Sequence, residues 1–163
     1  MVNAKETGVY MRFFLRYWLP VLIWLIVIFV GSSDLLSAEH TSRFIGPFLR
    51  WFVPDINAAT IASVQFLVRK CAHLTEYAIL AALLWRALRR HPASFSPAPA
   101  LAFVIAAAYA SLDEFHQSYI ASRTGSSWDV LIDCAGVILG LAIYRLVSGS
   151  ARLAETERGS SNV

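Results

Sequence analysis

The sequence predicts an all-α polytopic membrane protein: a bundle of four transmembrane helices with its N- and C-termini cytoplasmic. Three observations predict it, namely an apolar and weakly charged composition, four long apolar segments, and an uneven distribution of Lys and Arg among the connections. The 163 residues are 57% hydrophobic and 15% charged, against about 45–50% and about 25% in ordinary soluble domains. Mean hydropathy is +0.55. These figures exclude a disordered chain, a collagen-like repeat and a disulfide-rich scaffold. Lys+Arg 14 against Asp+Glu 11 leaves a net charge of +3, too small and too scattered for a nucleic-acid partner; the expected partner is the lipid bilayer. With no internal repeat, the chain reads as one domain over 1–163, with a membrane core over about 13–147 and a polar tail over 152–163.

Each apolar segment is close to the roughly 20 residues an α-helix needs to cross a bilayer. The first runs from Phe13 to Val30, interrupted by Arg16 and Pro20, with Tyr17 and Trp18 suited to an interface. Arg12 and Arg16 ahead of an apolar run and Gly31-Ser32-Ser33 also resemble a signal peptide, but the aromatic residues and Pro20 fit a retained anchor better. The second segment runs from Cys71 to Leu88 and carries His73 and Glu76 near its start. The third starts near Pro97 and stays uncharged through Leu112, then meets Asp113, Glu114, His116 and Gln117. The fourth spans Val130 to Val147, with Asp133 near its start and Arg145 near its end. None alternates like a barrel strand, so all four read as helices. The one long connection, from Gly31 to Val68, contains two semi-apolar stretches, Phe48–Val53 and Ile61–Val68, that suit the membrane interface. The tail after Arg152 is expected to be disordered.

The basic residues orient this bundle. Nine of them, Lys5, Arg12, Arg16, Arg86, Arg89, Arg90, Arg145, Arg152 and Arg158, fall on the side of the termini; the other five, Arg43, Arg50, Arg69, Lys70 and Arg123, are spread over longer loops. The positive-inside rule then puts both termini in the cytoplasm. One consequence is that Arg69, Lys70, His73, Glu76, Asp113, Glu114, His116, Arg123, Asp129 and Asp133 all gather at the outward ends of the second, third and fourth helices. Ionisable groups at membrane depth are costly unless paired or hydrated, so this concentration is a candidate site.

Helical spacing groups these residues by face. Arg69, His73 and Glu76 share one face of the second helix, with Tyr77 beside them. Asp113, His116 and Gln117 share a face of the third that continues back to Tyr109, leaving Glu114 to one side. Asp129, Asp133, Gly136 and Gly140 form one stripe on the fourth, and Gly136 to Gly140 is a GxxxG step that lets a neighbouring helix come close. The three polar faces are expected to converge on one pocket.

The ordered string Arg69-Lys70-Cys71-Ala72-His73-Leu74-Thr75-Glu76-Tyr77, then Asp113-Glu114-Phe115-His116-Gln117, then Arg123 and Asp129 to Gly136, resembles the VanZ-like family of small membrane proteins, named for a teicoplanin-resistance accessory protein. The resemblance covers about Pro20 to Val147. Ile120-Ala121-Ser122 departs from the proline or glycine turn expected before Arg123. The resemblance implies a cell-envelope role in the bacterial plasma membrane, such as glycopeptide-antibiotic resistance or modification of a surface lipid or glycan.

Two functions of different class fit the polar residues. In the first, Arg69, Lys70 and Arg123, with Gln117 and Asp129, hold an anionic lipid or cell-wall headgroup. In the second, an intramembrane hydrolase or transferase uses His73 or His116 as general base, with Glu76, Asp113 or Asp133 orienting it and Arg123 stabilising negative charge. The cofactor is unknown and no metal is assigned: two histidines and several carboxylates are adequate zinc ligands in type, but their spacing matches none of the specific zinc motifs. Plainer roles stand beside these. His73 and Glu76 also read as interhelical hydrogen bonds, Arg69 and Lys70 as snorkelling cations, Asp129 as the N-cap or first-turn acid of its helix, and Cys71 and Cys134 as buried free thiols.

Overall fold

The computed structural model describes residues 4–33, 38–89, 97–120 and 126–160, with side chains described for 7–33, 43–89, 97–120 and 126–150. Among them the chain is helical and carries no strand. Helix α1 (Ala4–Phe13), a π-helical segment (Phe14–Trp18) and α2 (Leu19–Ser32) follow without a break. The π segment has a chemical cause in Pro20. Proline has no N–H to give the carbonyl four residues back, and a wider turn accommodates its ring. The carbonyl concerned is that of Arg16, and it accepts instead from Arg86 Nη2 at 3.4 Å.

Helix α3 (Ala38–Phe52) exposes Phe44, Phe48, Trp51 and Phe52, the aromatic face of a helix suited to an interface. Helix α4 (Ala58–Leu88) begins at Asn57, whose side chain accepts from Thr60 N at 2.8 Å. Its 31 residues reach about 46 Å at 1.5 Å per residue. Ile61–Val68, expected as a separate interfacial stretch, is the first part of this helix, because no helix-breaking residue stands between Asn57 and Arg69. Helix α5 (Ala98–Gln117) buries Ala98, Ala102, Ala106 and Ala110 along one stripe. Helix α6 (Ser127–Ser160) continues through Arg152–Ser160, where the sequence suggested disorder.

Helix α4 is central, touching the π segment, α2, α3, α5 and α6. Its Tyr77, Leu80, Ala81 and Leu84 form the core with Val21 and Ile28 of α2, the alanine stripe of α5, and Val137 of α6. Contact with α6 is backbone to backbone: a Cβ on Gly136 would collide with the Leu74 carbonyl, and one on Gly140 with that of Ala78. The two helices run parallel, since Leu74 pairs with Gly136 and Ala78, four residues on, with Gly140. Helices α2 and α5 run the other way, ending where α6 begins.

Three helices are long and apolar enough to cross a membrane: Thr7–Ser32, Ala98–Gln117 and Ser127–Ser150. Helix α4, expected as a fourth span, is not among them, because His73, Thr75, Glu76 and Arg86 dilute its apolar run. The outward surfaces of the three are apolar, with Ile26, Val104, Ile138 and Leu146 all at least 60% exposed. Such a surface is costly in water and suited to acyl chains.

Candidate functional site

The polar residues meet where α2 and α5 end and α6 begins. Among the described residues the rest of each buried face is apolar, the Tyr77 hydroxyl apart, so packing the apolar stripes brings the polar residues into register. His73, Asp113, Glu114, Gln117, Asp129 and Asp133 are all buried, Asp133 completely.

The network has two halves divided by α5. On the α2 side, Asp113 Oδ2 accepts from Ser32 Oγ at 2.7 Å and from Gln117 Nε2 at 3.0 Å. Tyr109 donates to the Leu25 carbonyl at 2.9 Å, and the His116 ring lies 5.0 Å from that of Phe29. On the other side, His73 Nδ1 and Asp133 Oδ1 are 3.0 Å apart, joining α4 to α6. Lys70 pairs with Asp129, joining the same helices one turn nearer the end. Glu114 Oε2 accepts from the backbone N–H of Ser126 at 2.8 Å. Ser126 caps α6, its Oγ accepting from Trp128 N at 3.2 Å. Asp129 is therefore a first-turn acid paired with a lysine, and the cap is Ser126.

The expected grouping of faces is revised at one point. Glu114, set aside by the helical-wheel argument, faces α4 and α6, whereas Asp113, His116 and Gln117 face α2. Adjacent helical positions point about 100° apart, and α5 lies between two neighbours, so a carboxylate at 113 and another at 114 reach different partners. Glu76 reaches toward α2 from the face it shares with His73. Its side chain lies beside Gly31, and its carbonyl accepts from Trp24 Nε1 at 2.9 Å. Arg69 is half-buried. Arg123 lies outside the described residues. Cys71 and Cys134 are free thiols, Cys71 exposed rather than buried. Ser32 and Ser126 were not singled out as site residues. Each is a hydroxyl at the end of an apolar helix, and which carboxylate it meets is decided only by the packing of the helices.

Several buried polar atoms have no hydrogen-bond partner among the described residues: Arg69 Nε, Tyr77 Oη, Glu114 Oε1, His116 Nδ1 and Asp133 Oδ2. Such atoms are rare in a folded protein and call for an explanation. His73, Glu114 and Asp133 each offer one ligand-type atom, and these three atoms lie within 4.8 Å of one another. Chemically, the cluster provides a histidine held by a carboxylate, a second free carboxylate oxygen beside it, and a tyrosine hydroxyl one helical turn along α4.

A sequence profile described as VanZ/LLP1 matches residues 14–148. No curated protein and no solved structure matches the chain.

Proposed function

The chain belongs to the VanZ/LLP1 family, and from that premise we propose that it is a multi-pass protein of the bacterial plasma membrane whose buried polar cluster, at the extracytoplasmic face, binds an anionic lipid or cell-envelope headgroup. In this reading α4 is the fourth span. The observation that carries it is the gathering of four buried carboxylates, His73 and Lys70 from three helices at one end of an otherwise apolar bundle. Nothing in the packing of those helices requires so many charges, and polar groups at membrane depth mark pathways and binding sites more often than structure. Arg69 and Arg123 are the cations for an anionic headgroup, with Lys70 and its partner Asp129 and, on the α2 side, Gln117 as further contacts. A role in envelope modification or glycopeptide resistance follows from such binding.

One observation favours a second reading. The His73–Asp133 contact is the pairing that orients an imidazole as a general base, which suits a hydrolase or transferase acting on a lipid or glycan headgroup.

The test is native mass spectrometry of the protein released from vesicles of equal phosphatidylglycerol and phosphatidylcholine. Retained phosphatidylglycerol is expected, with loss of that retention in Arg69→Ala or Arg123→Ala at unchanged helicity. Equal retention of both lipids by the unaltered protein would sink the headgroup reading. If the cluster were only structural, single losses would follow stability, and interhelical hydrogen bonds in membranes average about 0.6 kcal/mol.

A further inference from the structure

We propose that His73, Glu114 and Asp133 form a binding site for a single divalent transition cation, Zn²⁺ by ligand type, where α4, α5 and α6 meet. The three side chains come from three helices, yet each presents a ligand atom within 4.8 Å of the other two. A zinc ion bonds nitrogen and oxygen at about 2.0–2.2 Å, so tetrahedral ligands sit roughly 3.3–3.6 Å apart. Side-chain adjustments of about an ångström or less bring the three atoms to that spacing. The donor set, one imidazole and two carboxylates, suits zinc or manganese better than magnesium, which keeps to oxygen and retains its waters.

A second observation points to a ligand. Glu114 is 5% exposed and Asp133 is 0% exposed, and each has one carboxylate oxygen, Oε1 and Oδ2, without a hydrogen-bond partner. The two buried carboxylates lie side by side, and each keeps an oxygen that receives no hydrogen bond from a described side chain. Lys70 is taken by Asp129, and Asp113 receives its hydrogen bonds from neutral Ser32 and Gln117. A divalent cation would hold both carboxylates in their charged form and occupy the unpartnered oxygens.

The surroundings are those of a metal ligand set. The second oxygen of Glu114 is fixed by the Ser126 N–H at 2.8 Å, the kind of outer contact that orients a coordinating carboxylate. Three protein ligands leave at least one coordination position open, as in catalytic rather than structural zinc sites. A water there would be acidified, or a phosphate oxygen polarised. The cation assignment needs neither the headgroup nor the enzymatic reading.

The experiment uses the full chain with a histidine-free tag, stripped of metal by chelator in detergent and dialysed separately against Zn²⁺, Mn²⁺ and Mg²⁺. No lipid ligand is added, so its failure leaves the headgroup reading standing. About one Zn²⁺ or Mn²⁺ per chain is expected by elemental mass spectrometry, with an unfolding midpoint that rises with ion concentration. Glu114→Gln and Asp133→Asn keep side-chain shape and remove a buried charge; each should weaken binding at least tenfold while helicity is retained. Should either variant fail to fold, Co²⁺ bound to the unaltered protein decides the matter. Its visible spectrum should show nitrogen and oxygen ligation with no thiolate charge-transfer band, since Cys71 and Cys134 are not ligands. A folded protein that retains none of the ions or Mg²⁺ alone, undiminished binding in Glu114→Gln, or a thiolate band would each overturn the proposal.

Discussion

Lys70 and Asp129 show how much a single pair carries at the end of the bundle. Their side chains are 17% and 6% exposed, so the carboxylate is almost wholly withdrawn from water while the ammonium keeps some contact with it, resting 5.0 Å from the centre of the Phe66 ring. Removing one partner of a fully buried pair costs about 3–5 kcal/mol, because the other is left as an uncompensated charge. Here the survivor of Lys70→Met is Asp129, which still belongs to the first turn of α6 and is favoured there by the helix dipole. We therefore expect Lys70→Met to cost about 1–3 kcal/mol, and Asp129→Asn to cost less because Lys70 can reach water. The double variant should recover most of the loss. Denaturant titration of the four proteins measures this directly, and strictly additive losses would mean the pair does not couple. The identities of these residues are legible in the sequence, as polar punctuation in apolar segments. Their partners are not. The choice between Asp113 and Glu114 as the neighbour of His73 depends on α5 meeting α2 on one side and α4 and α6 on the other, which no periodicity within α5 reveals. Ser32 is likewise found only when α2 is placed.

Between elements, the tightest constraint is the contact of α4 with α6. Gly136 and Gly140 are required by close approach rather than by backbone conformation, as no described residue has positive φ. At both positions the nearest obstacle is backbone, the Leu74 and Ala78 carbonyls, and backbone cannot rotate aside as a side chain can. Gly140→Ala should thus force the helices apart and cost about 1–3 kcal/mol, the usual range for overpacking. Gly140→Leu should prevent the native contact. The displacement also carries a cost at the site, since His73 is one residue before Leu74 and Asp133 three before Gly136; parting the helices lengthens the His73–Asp133 contact. Unfolding in mixed micelles should show the loss. Gly149→Ala, which has open space around it, should instead be stabilising by up to about 1 kcal/mol, the helix-propensity gain of alanine over glycine. The GxxxG step is visible in the sequence because glycine at that spacing has few other uses in a membrane helix. The π segment is not, although Pro20 announces a break, because the partner that takes the freed Arg16 carbonyl lies 70 residues away in Arg86.

At the scale of the molecule the two ends of the bundle differ in kind, and the difference supports the proposed orientation. One end holds the carboxylates. The other gathers Arg16 and Arg86, whose guanidinium carbons lie 5.6 Å and 5.4 Å from the centre of the Tyr17 ring, beside Trp85 and Tyr144 with ring centres 5.1 Å apart. Aromatic rings with arginines among them suit the headgroup level of a bilayer. The proposed orientation makes that end cytoplasmic by the positive-inside rule, because nine of the 14 Lys and Arg residues fall on its side of the sequence topology. In the proposed reading α4 is a fourth span despite its polar residues, since α2 and α5 both finish at the carboxylate end and the chain returns from it twice. Single cysteines test the reading in a background of Cys71→Ala and Cys134→Ala. Gly46→Cys should react with a membrane-impermeant maleimide on intact cells, whereas Ser94→Cys and Ser161→Cys should react only after permeabilisation. Labelling of Ser94→Cys from outside would invert the bundle and put the carboxylate cluster at the cytoplasmic face. Labelling of Gly46→Cys and Ser94→Cys from the same side would show that α4 does not span, leaving three crossings.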